Sequence, residues 1–102
     1  MRRARLRYLV LIAAATALTL PAPPTSAATG VFEYCADQDC RALHDPDPGA
    51  CFTLEITATH VNNGTDTLAT LYSGRHCSEE GDTVEPGESR AVTPSNSVIF
   101  YS

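Results

Sequence analysis

Three landmarks recur in this chain at nearly one interval: Tyr34 and Tyr72 stand 38 residues apart, Cys40 and Cys77 37, and Pro48-Gly49 and Pro86-Gly87 38. Self-similarity at a fixed period predicts a duplicated supersecondary unit, over about 31-62 and 69-102. Each copy reads as an aromatic strand, a tight turn, a cysteine, a Pro-Gly turn and a second apolar stretch. One copy is too short to close a core, so the two are expected to pack together. The repeat constrains the fold and is silent on activity.

Upstream, Arg2, Arg3, Arg5 and Arg7 precede an apolar run from Leu9 to Leu20, followed by a Pro-rich, small-residue stretch from Pro21 to Ala28. This is the layout of a secretory signal peptide, expected over 1-28, with cleavage after Ala27 or Ala28. The run of about twelve residues falls short of the roughly 20 that a spanning helix needs, and Pro21, Pro23 and Pro24 end it. A single β domain, 29-102, is thus expected to be secreted.

All twelve acids lie beyond residue 28, whereas only Arg41, Arg75 and Arg90 of the seven basic residues do, a balance of −9 with no lysine. A phosphate-tracking basic groove is absent, which excludes nucleic acid as a partner. Attraction to an anionic membrane is excluded on the same ground, so no membrane contact is expected after cleavage.

About 74 residues remain, a size that buries too little surface to be stable without staples. In an exported chain Cys35, Cys40, Cys51 and Cys77 supply them as two disulfides, for which three connectivities are open. Zinc is disfavoured because the spacing lacks paired C-x2-C knuckles.

The segments Val31 to Tyr34, Cys51 to Ile56, Thr67 to Ser73, Thr83-Val84, Ser89 to Val92 and Ser97 to Tyr101 are short and rich in β-branched or aromatic residues, which predicts an all-β fold. In Cys51 to Ile56 the residues Phe52, Leu54 and Ile56 share one face, as period-two burial requires. Ala36 to Asp39 has room only for a turn, and Asp45-Pro46-Asp47-Pro48-Gly49 reads as a loop. Asn62-Asn63-Gly64-Thr65-Asp66 reads as the link between the two halves, because Asn-Gly accepts positive φ. Asn63-Gly64-Thr65 also matches the N-glycosylation triplet, taken here as chance.

Two tandem units with an aromatic, a turn and a returning strand, most clearly from Asn63 through Cys77 and Pro86-Gly87 to Phe100, resemble the βγ-crystallin family. The resemblance covers nearly all of the chain beyond the leader. It implies a small, disulfide-stabilised double Greek-key sandwich and places the protein near secreted antimicrobial, killer-toxin-like and metalloproteinase-inhibitor members. It also implies the pairing Cys51 with Cys77, which leaves Cys35 with Cys40. Many members bind calcium just before the last strand of each unit. Here Val92 and Thr93, or Leu54 and Glu55, fall at the ligand positions, so too few oxygens are present and no metal or other cofactor is expected.

Catalysis has little support in the residues. His44, His60 and His76 share no metal-ligand spacing, the cysteines are committed to disulfides, and no serine sits in a nucleophile elbow. Glu79-Glu80 reads as charged surface. The expected function is therefore that of a non-catalytic secreted binding effector, a monomer acting on an extracellular protein or polysaccharide. A structural or envelope-associated role is the alternative. The loops to watch are Asp37-Gln38-Asp39 and the turn Gly74-Arg75-His76, where Tyr72, Arg75 and His76 are the candidate contact residues, Arg75 as anchor.

Overall fold

The computed structural model covers residues 27–101, so the signal peptide expected over 1-28 lies outside the described residues except for its last two. Six strands form one antiparallel sheet: β1 (Gly30–Ala36), β2 (Asp39–His44), β3 (Cys51–Thr65), β4 (Leu68–Tyr72), β5 (Glu80–Val84) and β6 (Ser89–Tyr101). Their order across the sheet is β2–β1–β3–β6–β4–β5. A hairpin followed by a strand that returns onto the hairpin's first member therefore occurs at each side, with β3 and β6 paired in the middle. Gly49 and Gly87, each two residues before a returning strand, both adopt φ 81°, a left-handed conformation that favours glycine.

The long central strands let one sheet enclose a core. Along β3 the inward positions are Leu54 and Ala58, then Val61, Asn63 and Thr65, so the phase changes parity. That change coincides with register shifts between Thr53 and Ala58 and between Ala58 and His60 against β6, irregularities that bend a strand and increase its twist. Pro94 of β6 lies in the same stretch, between the pairs Ala58–Ser95 and His60–Ala91, where a residue without an N–H does least harm to the ladder. Around this bend Phe32, Tyr34, Leu54, Val61, Leu71, Val84, Val98 and Phe100 form the buried core. Phe100 packs edge-on against Phe32, with ring centroids 5.2 Å apart, and against Phe52 at 6.0 Å. The Tyr34 hydroxyl reaches the Glu55 N–H, 3.3 Å away, at the bulge where the ladder is interrupted.

Two polar groups hold β5 against the far side of the curled sheet. Fully buried Asn63 donates from Nδ2 to the carbonyls of Thr67 (2.8 Å) and Val84 (3.1 Å), and its Oδ1 accepts from the Thr65 N–H and hydroxyl. Its main chain exchanges bonds with the β5–β6 turn, Asn63 N–H to Glu88 O and Gly87 N–H to Asn63 O. At the other end, Asp82 accepts from the Thr93 N–H (2.7 Å), the Thr93 hydroxyl and the Arg90 guanidinium (3.3 Å), although β5 and β6 share no backbone ladder.

The bond from the Thr93 hydroxyl, then that from its N–H, holds the Asp82 carboxyl below the usual carboxylate range. A group depressed in the folded state contributes fully above its unfolded value and loses that contribution as pH falls through the folded one. Melting temperature should therefore drop in acid. Asp82→Asn is expected to cost about 1–3 kcal/mol at neutral pH and to flatten that acid limb, which a pH series of thermal melts reads directly.

Several elements differ from the sequence expectation. Asn62 to Thr65 do not form the link between the halves but continue β3, and the link shrinks to Asp66-Thr67. The reason is that Asn63 finds four partners inside the fold, which outweighs the turn preference of Asn-Gly. β2 had no β-branched run to announce it; the hairpin register places Cys35 opposite Cys40, and their disulfide fixes the strand beside β1. The two short segments expected from Ser89 to Tyr101 are one bent strand.

Candidate functional site

The two hairpins differ in their connections. β1 and β2 are joined by Asp37-Gln38 alone, with Asp37 at φ 53°, whereas β4 and β5 are joined by Ser73 to Glu79. The longer loop crosses onto the ends of β3 and β6 and is fastened there through its main chain. Its carbonyls are taken up in turn: Ser73 O accepts from Asn96 Nδ2 (2.7 Å), Gly74 O from the Ser97 hydroxyl, and Arg75 O from the Thr53 hydroxyl (2.8 Å). The Cys77 N–H donates to the Ser97 oxygen at 2.9 Å, and the Ser73 and Gly74 N–H groups close the loop on Glu79 O and Ser78 O. Cys77, at φ 58°, is then bonded covalently to Cys51 at the start of β3. Ser97 is fully buried, so a core position is given to a hydroxyl whose two bonds both go to this loop.

The side chains of Arg75 and His76 are left exposed on this fixed main chain. Arg41 is bridged to Asp39 (3.0 Å) and Glu55 (2.8 Å), and Arg90 to Asp82 (3.3 Å) and Glu88 (3.6 Å). Among the described residues Arg75 is the one arginine with no carboxylate within 4.0 Å. Glu79, a nearby candidate for neutralising it, instead accepts from the Ser73 hydroxyl.

Tyr72 is placed differently from its neighbours. It is only 9% exposed, and its hydroxyl meets that of Tyr101 at 3.2 Å; that bond and burial push its pKa up to about 12. The accessible ring of the pair belongs to Tyr101, 44% exposed, a residue that periodicity marked only as strand. Asp37-Gln38-Asp39 belongs to the other hairpin, and Asp39 is occupied by Arg41.

No concave pocket opens among the described residues. The one cluster of metal-ligating atoms among them is Glu33 with Cys35 and Cys40, whose sulfurs are bonded to each other and so do not serve as thiolates. His44 lies on β2, His60 on β3 and His76 on the loop, on three separate elements. The two disulfides accord with an oxidising, extracellular setting. No family model matches the chain, and neither a curated protein nor a solved structure shows significant similarity to it.

Proposed function

We propose that this is a secreted, non-catalytic binding effector that recognises an extracellular protein or polysaccharide through the loop Ser73 to Cys77, with Arg75 as the anchor and His76 beside it. The observation that carries this reading is the pairing of a main chain bonded at Ser73, Gly74, Arg75 O and Cys77 with an exposed guanidinium that has no carboxylate partner among the described residues, on a domain of twelve acids and three arginines. A loop ordered in advance loses less entropy on binding, and arginine with tyrosine is enriched where binding energy concentrates. Tyr72 contributes by supporting the exposed Tyr101 ring.

The Thr53 bond to Arg75 O bears on the manner of binding. A bond offered to a protease as a substrate mimic needs its carbonyl free for the enzyme's own donors. Here one of that carbonyl's two lone pairs is taken by the Thr53 hydroxyl, and the group the loop offers outward is the Arg75 side chain. The mirrored strand order supports reading the fold as two related three-stranded units, each a hairpin with a strand returned onto its first member, and it is on this duplication that the likeness to the small secreted βγ-crystallin relatives rests.

The test compares parent protein and Arg75→Ala in growth-inhibition and metalloproteinase-inhibition assays and in affinity capture from culture medium and neighbouring cells. The variant should lose activity or capture by about tenfold or more, with its melting temperature unchanged. A charge-balancing arginine would cost a few tenths of a kcal/mol and leave activity intact. A parent protein inactive in every assay points instead to the structural or envelope-associated role.

A further inference from the structure

We infer that the chain is cut at the Ala27–Ala28 bond, so that the mature protein begins at Ala28. The inference rests on the export reading of residues 1-28 and is independent of the Arg75 loop. Two adjacent bonds suit a leader peptidase that wants small residues one and three positions before the cut: Ala27–Ala28, preceded by Thr25 and Ala27, and Ala28–Thr29, preceded by Ser26 and Ala28. Residue type does not separate them. The fold does, because Ala28 is an integral part of it.

Ala27 is exposed, but Ala28 is 1% exposed, and its N–H donates to Pro46 O at 3.1 Å. The next two residues are bound on both sides of the main chain. Thr29 N–H donates to Asp66 Oδ1 (2.9 Å) and Thr29 O accepts from the Asp66 N–H (3.1 Å). Gly30 N–H donates to Asp45 Oδ1 and Gly30 O accepts from the Asp45 N–H, both at 2.8 Å. The segment Ala28-Thr29-Gly30 thus ties the β2–β3 loop and the β3–β4 link to the first strand. A cut one residue later would empty the site of the Ala28 methyl and orphan Pro46 O.

In the hydrolysis, water adds its oxygen to the Ala27 carbonyl carbon, the C–N bond breaks, and the Ala28 nitrogen leaves protonated. The products are a leader ending in a carboxylate and a domain starting with an ammonium group. That ammonium stays a donor to Pro46 O and gains charge assistance, in a chain segment where Asp45 and Asp47 flank Pro46.

Intact mass and N-terminal sequencing of the full chain secreted from an exporting host decide the matter. A single species beginning at Ala28 is expected. A species beginning at Thr29, whose ammonium would fall on Asp66, overturns the site while leaving export in place; material retained in the cell with Met1 and its leader overturns both. Ala28→Ser keeps both bonds cleavable and adds a second readout. Its secreted form should begin with the introduced serine and melt about 5 °C lower, since a hydroxyl enters a buried site. An unchanged melting temperature would mean that residue 28 had been removed, against the inference.

Discussion

Replacing Cys51 with alanine is expected to destabilise the domain by about 3 to 4 kcal/mol, and replacing Cys35 by about 2, on the chain-entropy account of a cross-link. The difference follows from loop length: the Cys51–Cys77 bond closes a separation of 26 residues and the Cys35–Cys40 bond one of 5. Their positions sharpen the contrast. Cys35 and Cys40 face each other across one hairpin and would stay neighbours when reduced, held by the β1–β2 ladder. Cys77 belongs to a loop, and its covalent partner is on another strand, so losing it frees Ser73 to Glu79 from one of its fixings. For a domain this small the Cys51 variant should melt on the order of 15 °C lower or more, and the Cys35 variant clearly less. Thermal melts of the two variants under identical conditions, with peptide mapping of the remaining disulfide, check the order. Equal losses would show that loop length does not govern these bonds.

Asn63→Ala is expected to cost about 3 to 5 kcal/mol, because several buried groups lose their partner together at roughly 1–3 kcal/mol each. The Thr67 and Val84 carbonyls lose a donor, and the Thr65 N–H loses an acceptor. Asn63→Asp separates shape from chemistry, since it preserves the outline while turning an amide that donates twice into a carboxylate facing two carbonyls. It should be at least as damaging as alanine in urea or thermal unfolding. A loss below about 1 kcal/mol for Asn63→Asp would mean that the amide is not the tie between β3 and β5. The same burial makes the Asn63-Gly64-Thr65 triplet inaccessible in the folded domain, since a glycan needs the very nitrogen that binds Thr67 and Val84.

What the sequence disclosed and what it hid divide along physical lines. Alternation at Phe52, Leu54 and Ile56 was visible because each inward residue is apolar and one face is buried. The strand class was legible for the same reason in β1, whereas β4, buried on both faces, was legible only through its run of apolar and aromatic residues, and the cysteine pairing implied by the family resemblance is the pairing in the structure. Beyond Ile56 the signal failed because inward positions are filled by Asn63 and Thr65, polar residues that satisfy one another where no local pattern can register it. β2 was illegible because an edge strand held by a hairpin and a disulfide needs few apolar residues. Within the candidate site, composition singled out Arg75 as one of three cations beyond the leader, but its lack of a carboxylate partner emerges only when Arg41 and Arg90 are seen paired. Ser97, Asn96 and Thr53 carried no signal at all. Their role is to hold carbonyls more than 20 residues away in sequence.

The clamping of β5 by Asn63 and Asp82 bears on how copies of this protein can meet. Growth of a sheet into a fibre needs two open edges on every copy, one to receive a strand and one to offer. In this domain β5 is drawn in toward β6 by side chains, which leaves β2 as the edge strand that is paired on one side only and carries no such clamp among the described residues. Strand-to-strand association through β2 uses up that edge on both partners and stops at two copies. Protonating Asp82, or removing Asn63, releases the second edge and turns a self-limiting contact into one that can propagate, so loss of either clamp carries a hazard beyond the stability it removes.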